Sequence, residues 1–503
     1  MDPFEFCGYL WKSASFDWLT SILTGSIKIL TRAGTTACAK KAGLHPSTGM
    51  RIGPEAKRLT LRCAVVWLGA ICLASLNPPR AANPPADSGK YTGPGSCSST
   101  SCHGSVKPRS DNRIFQDEYS IWAVKDKHAK AYDALTGPIG QRMARILGLG
   151  KSEQAAKCLA CHAIDVPAEA RAKTFDLSEG VSCESCHGPA SAWLGPHTTR
   201  NWTHEQSVAA GMYDTRNLAR RTEKCLTCHL GTQEKFVDHE MIAAGHPDLY
   251  FELDSFSAVM PRHWKTPRES APGVSAETDA WAGVREWGTG QAVQLRASME
   301  RVAWRAKGKN WPEYSELQCF ACHHSLTAPE QSWRQERGYA GRRSGDPPWN
   351  ASRFAVFREL AHQVDNDVAS RLDDQVAQLA KSLSQLNPDR DAVAAASASA
   401  AMLSNQLAAR IETQPYDAAM TLRLLQRISD DADEISNQGE RAAEQAAMAL
   451  DSLFIAYART EKLANAAEVR AAINGLFQQL ENPSNYNPAD FSKQMRKVGS
   501  MLR

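Results

Sequence analysis

The sequence predicts a mainly α-helical protein in two parts, a loop-rich first part built around bound cofactors and an all-α helical bundle after it. Three observations lead there. Ten of the fourteen cysteines form five pairs between Cys97 and Cys322, and a histidine directly follows each pair. No cysteine follows Cys322. From Asn350 onward, apolar residues recur every three or four positions, the period of a helix with one buried face.

The 503 residues leave room for roughly two or three domains. With 58 basic and 55 acidic residues the net charge is +3, too balanced to indicate nucleic acid or a polybasic membrane surface. The expected division is a leader or start-site over-extension at 1–49, a signal peptide at 50–82, a cofactor-binding domain at 83–335 and a helical bundle at 336–503. Arg51, Lys57, Arg58 and Arg62 form the basic region of the signal, and Cys63–Leu76 is an apolar run too short to span a membrane comfortably. Translation starting at Met50 would explain both the signal and the segment before it; a long leader is the other reading. An uncleaved signal would tether the protein to a membrane.

The pairs come next, in order. Cys97 and Cys102 enclose four residues before His103; Cys158/Cys161, Cys183/Cys186, Cys225/Cys228 and Cys319/Cys322 enclose two, before His162, His187, His229 and His323. Cys-x-x-Cys-His is the attachment signature of a c-type haem. Two thiols one helical turn apart add to the porphyrin vinyl groups, and the histidine lies under the iron as proximal ligand. The longer first spacing fits if the two extra residues loop out. Structural zinc would pair the pairs and needs no histidine after each, and disulfide exchange would not need the histidines either. The expected cofactors are therefore five covalently bound haem c groups, and the first part reads as a multihaem cytochrome domain organised around stacked c-type haems.

Eight further histidines follow the signal: 128, 197, 204, 239, 246, 263, 324 and 362. Each iron needs a second axial group, and two histidines imply low to moderate potentials. Ser120–Leu135 reads as one helix with His128 on its apolar face. His197 follows a Gly-Pro corner ten residues after His187. His246, between Gly245 and Pro247, is preferred to His239 as a distal ligand. His324 cannot bind the iron of its neighbour His323 but can reach another. His362 lies off the apolar stripe of its helix and is left as structural.

Thr278–Arg305 is a long amphipathic helix. Residues 330–348, rich in Arg, Gly and Pro, mark the boundary. Beyond it a helical stripe runs from Phe354 to Leu383, and helices are expected at Asp391–Ile411, Tyr416–Ser429, Glu440–Tyr457 and Leu463–Leu480. A last one starts at Asn487-Pro488, an N-cap residue followed by proline. Short polar links favour an antiparallel bundle.

The run from CSSTSCH through SIWAVKDKHAKAYDAL, CLACH and GVSCESCHGPASAWLGPH to CLTCH resembles the tetrahaem cytochrome c-554 family. That resemblance implies that His128 is the distal ligand of the third haem and His197 that of the first. It also implies an open axial position on the second, so the iron of His162 becomes the candidate catalytic site. The fifth pair and the C-terminal helices lie outside it. The expected role is a periplasmic pentahaem electron carrier working between donor and acceptor redox proteins. The alternative is an oxidoreductase acting on NO, hydroxylamine or a small nitrogen or sulfur oxyanion at one five-coordinate haem. No Cys-x-x-Cys-Lys site is present, which favours the carrier.

Overall fold

The computed structural model describes residues 89–503 apart from 111, 113, 267, 268, 270–280, 320, 321, 324–345 and 386. The leader, the signal segment, the Arg/Gly/Pro-rich boundary and His324 lie outside the described residues. Helices and turns make up the fold. Among the described residues no strand is found, only isolated bridges between Tyr91 and Arg171 and between Leu317 and Trp349. No described helix is long and apolar enough to cross a membrane.

Up to residue 260 the helices are short and carry the motifs: α1 Glu118–Lys125, α2 Ala156–His162, α3 Cys183–His187, α4 Leu218–His229 and α5 His239–Ala243. The single helix expected over Ser120–Leu135 is broken. At Asp126 the backbone turns extended, and the Asp126 carboxylate accepts from the His128 N–H at 3.0 Å, starting a 3-10 turn. Side-chain acceptance by Asp is a stop-and-restart signal that competes with helix continuation.

After these come α6 Ala282–Lys307, α7 Phe357–Val364, α8 Asn366–Leu383, α9 Arg390–Thr413, α10 Ala418–Asp430, α11 Glu440–Thr460, α12 Ala466–Leu480 and α13 Pro488–Met501. The apolar stripe from Phe354 to Leu383 is divided at Asp365, whose side chain caps α8 by accepting from Val368 N–H. Asn487 caps α13 in the same way, ahead of Pro488.

Helix α6 is the axis of the core. Val284, Trp287, Leu295, Met299 and Val302 are wholly buried, and α6 packs against α9 on one side and α4 on another. Close approach needs small residues. A Cβ on Gly290 would lie 2.6 Å from the Leu253 Cβ, and one on Gly288 would lie 2.8 Å from a Leu360 methyl. One apolar cluster runs from Leu226 and Phe251 through α6 to Val498, so the core crosses residue 336 without a break. Residues 89–217 contrast with this. There the buried Leu, Ile, Val, Met and aromatic side chains among the described residues are Leu135, Leu159, Ile164 and Trp193.

Candidate haem sites

In α2, α3 and α4 the second cysteine and its histidine close the helix, so both thiols lie within one turn and the imidazole follows. The first pair reaches the same result by another route. Cys97 ends a 3-10 turn, and the extra residues fold into a tight turn in which Cys102 N–H donates to Ser99 O at 2.8 Å.

Glu184, between the cysteines of the third pair, was not singled out from the sequence. Its buried carboxylate accepts from the N–H groups of Thr92 (2.9 Å), Gly93 (2.7 Å) and Ala190 (2.7 Å). It therefore ties the segment leading into Cys97 to the third motif. Lys235 Nζ, which donates to Ala160 O at 3.2 Å and to Cys228 Sγ at 3.5 Å, ties the second motif to the fourth. First and third motifs are neighbours, and so are second and fourth.

The histidines come in twos. Ring centres of His103 and His197 are 6.3 Å apart with planes 11° from parallel; His128 and His229 are 6.2 Å apart at 89°. His162 and His246 are 6.4 Å apart at 88°, and His239 and His323 are 6.3 Å apart at 31°. Two imidazoles that hold one metal ion from opposite sides, with metal–nitrogen bonds of about 2 Å, have ring centres roughly 6 Å apart. Among the described residues no group of three or more His, Cys, Asp or Glu is arranged to hold a metal ion. Pairs of imidazoles beside pairs of thiols fit haem c, which brings four nitrogen ligands of its own.

Hydrogen bonds at the other ring nitrogen sharpen the assignment. Nδ1 of His103 meets Glu118 Oε2 at 2.9 Å, and Nδ1 of His128 meets Asp126 Oδ1 at 2.9 Å. Nδ1 of His162, His197 and His246 donates to the carbonyls of Ala131 (2.8 Å), Leu194 (2.6 Å) and Pro247 (2.8 Å). Each bond sets the tautomer and leaves Nε2 toward the facing ring, the arrangement of metal-binding histidines. His204 engages Nε2 instead, with Asp214 at 2.9 Å, and His362 engages both nitrogens, Nδ1 with Asn366 (2.9 Å) and Nε2 with Asp373 (2.8 Å). Burial holds the His187 and His229 imidazoles neutral, at about 4. Hydrogen bonding to Glu118 and Asp126 instead raises His103 and His128 above the ordinary histidine value.

Three expectations are corrected by this geometry. His128 faces His229, not His187. Its backbone does bond to the third motif's entry, Val181 N–H donating to His128 O at 3.2 Å, but the break at Asp126 turns the ring toward the fourth motif. His246 lies across from His162, on the side that the resemblance leaves open. And His239, passed over in favour of His246, faces His323. Among the described residues no imidazole stands at that spacing from His187. His197 lies opposite His103, the first motif.

One turn serves two pairs. Asp238 caps α5 by accepting from Met241 N–H and takes a 2.9 Å ion pair from Lys157 of α2. Gly245, at φ 112°, then turns the chain so that His246 N–H donates to Met241 O at 3.0 Å. This left-handed position suits glycine.

Thiol pairs that each precede a histidine define the chemistry of a c-type cytochrome. Residues 97–188 match the family model described as cytochrome c554 and c-prime, so the stretch holding the first three motifs is similar to that family. Comparison with curated proteins and with solved structures found no match.

Proposed function

We propose that the chain is a five-haem c-type cytochrome of the periplasm, carrying electrons between a donor and an acceptor protein. The observation that carries this reading is the four histidine pairs at 6.2–6.4 Å, each beside a thiol pair. Haem c, when bound, supplies a one-electron iron couple at each site. The residues do the rest: Cys97, Cys102, Cys158, Cys161, Cys183, Cys186, Cys225, Cys228, Cys319 and Cys322 anchor the porphyrins. His103, His162, His187, His229 and His323 ligate from the proximal side, and His197, His246, His128 and His239 complete four of the irons. The ties that Glu184 makes between motifs one and three, and Lys235 between motifs two and four, support a side-by-side arrangement suited to electron hopping. Export follows from the attachment chemistry and the apolar run at Cys63–Leu76.

A second reading rests on His187. Among the described residues no imidazole faces His187, so the third site is where an exogenous ligand would bind, and the positive charge of Lys224 acting on it suits a small anion.

Both readings are tested on the full-length purified protein. Five haems per chain are expected by pyridine haemochrome assay, with four low-spin and one high-spin centre by EPR and one bound CO per chain. Any other haem count sinks the pentahaem reading; five low-spin centres and no CO binding sink the second. Replacing His246 by glycine is expected to double the bound CO. A separate expectation concerns Asp126. Its carboxylate makes the His128 imidazole a stronger donor, so Asp126→Asn should raise the potential of one haem in a spectroelectrochemical titration and leave the other four in place.

A further inference from the structure

A buried charge cluster lies where the fifth motif meets the bundle. The Glu316 carboxylate, 3 % exposed, accepts from Arg301 Nε (2.7 Å) and Nη2 (2.9 Å) and from Arg305 Nη1 (2.6 Å). The two arginines stand four residues apart on α6, hence on one face. Each also reaches the segment that leads to His239: Arg301 Nη1 donates to Leu230 O at 3.3 Å, and Arg305 Nη2 to Val237 O at 2.9 Å. His239 closes the loop, its N–H donating to Glu313 Oε1 at 2.9 Å. On the other side Asn350 N–H donates to Glu316 O, Gln318 N–H donates to Pro348 O, and the Gln318 amide donates to Gln438 O at the entry to α11.

Three segments distant in sequence therefore meet on two arginines: the approach to His239, the approach to Cys319–His323, and the bundle. A buried ion triad is a poor way to gain stability, since apolar residues of the same volume often do better. Its distinctive property is fixed geometry, five charge-assisted bonds of defined direction. We propose that Arg301, Glu316 and Arg305 are positioning residues that set His239 opposite His323, and that the C-terminal bundle is the mount of the fifth haem site. This rests on the haem reading above and adds to it a role for the bundle.

A consequence concerns the order of the sites. The turn that carries His239 to the fifth site carries His246 to the second, with one short helix between them. With haem bound at both, the second site would be placed to pass single electrons to the fifth, one iron oxidised as the other is reduced.

The test uses the full-length holoprotein and EPR at low temperature. Glu316→Leu is expected to keep five haems, since the thiols are untouched, but to convert one of four low-spin centres to high spin and raise CO binding from one to two per chain. His239→Gly should give the same spectrum, and added imidazole should restore its low-spin signal. The double variant should show no further change. Should Glu316→Leu fail to accumulate, Glu313→Ala removes the acceptor of the His239 N–H and is expected to shift the same signal. A thermal midpoint that falls while all four low-spin signals persist would overturn the proposal, as would imidazole having no effect on His239→Gly. Failure of the haem reading is seen separately, as a wild-type chain whose haem content does not fall when Cys319 and Cys322 are replaced by alanine.

Discussion

Produced without haem, the full chain is expected to leave residues 89–217 open to hydrogen exchange within seconds while α6 and α8 to α13 stay protected. The reason lies in what each part has to bury. Ordering a residue's backbone costs about 1–2 kcal/mol, and burying a large apolar side chain returns about 1.5–3 kcal/mol. Among the described residues between 89 and 217, the large apolar side chains that the fold buries are Leu135, Leu159, Ile164 and Trp193. The other small cluster there is Leu135, Leu159 and Ala163. Such a chain cannot hold itself together by protein contacts alone, and the porphyrins would supply the missing apolar surface, coupling folding to cofactor. The helices after Ala282 are in the opposite position, with α6, α8, α9, α11, α12 and α13 all contributing wholly buried side chains. Full protection of residues 89–217 in the haem-free chain, measured by exchange and mass spectrometry, would refute this division.

How far the sequence carries depends on which force sets each feature. Helices from α8 to α13 were legible because an apolar stripe of period 3.6 is a local signal and their caps, Asp365 and Asn487, announce themselves. The cysteine–histidine motifs were legible for the same reason, since thiol spacing is a property of neighbouring residues. Pairing of histidines was not, because it is decided by tertiary turns. His128 illustrates the gap: the residues around it read as one helix, and only the break at Asp126 shows that its ring turns from the third motif to the fourth. His239 and His246 illustrate another. Seven residues apart near a glycine, they looked like competitors for one iron, yet Gly245 sends them to different sites. Glu316 carried no signal at all; a lone glutamate before a motif acquires meaning only when two arginines seventy residues from His229 prove to share it with the His239 segment.

Trp287→Ala is expected to cost about 3–5 kcal/mol, the range for removing a wholly buried tryptophan. Its side chain is 0 % exposed at the middle of the joint that α6 makes with its neighbours, where Gly288 and Gly290 bring Leu360, Ile411 and Leu253 into contact. Val284 and Leu295 on the same helix are themselves wholly buried, so a cavity there would lie deep in the core. The wider consequence follows from continuity of the core. Leu226 of α4, one residue after Cys225, belongs to the same apolar cluster as Leu424 and Phe491 of the bundle. A loss at Trp287 therefore reaches the fourth haem site as well as the helices. Urea unfolding followed by far-ultraviolet circular dichroism reports the bundle, and Soret ellipticity reports the haem sites. Both midpoints should fall together in the variant. If only the far-ultraviolet transition moves, α6 holds two separable units that merely touch, and the bundle could not act as a mount for the fifth site in the way the Glu316 node requires.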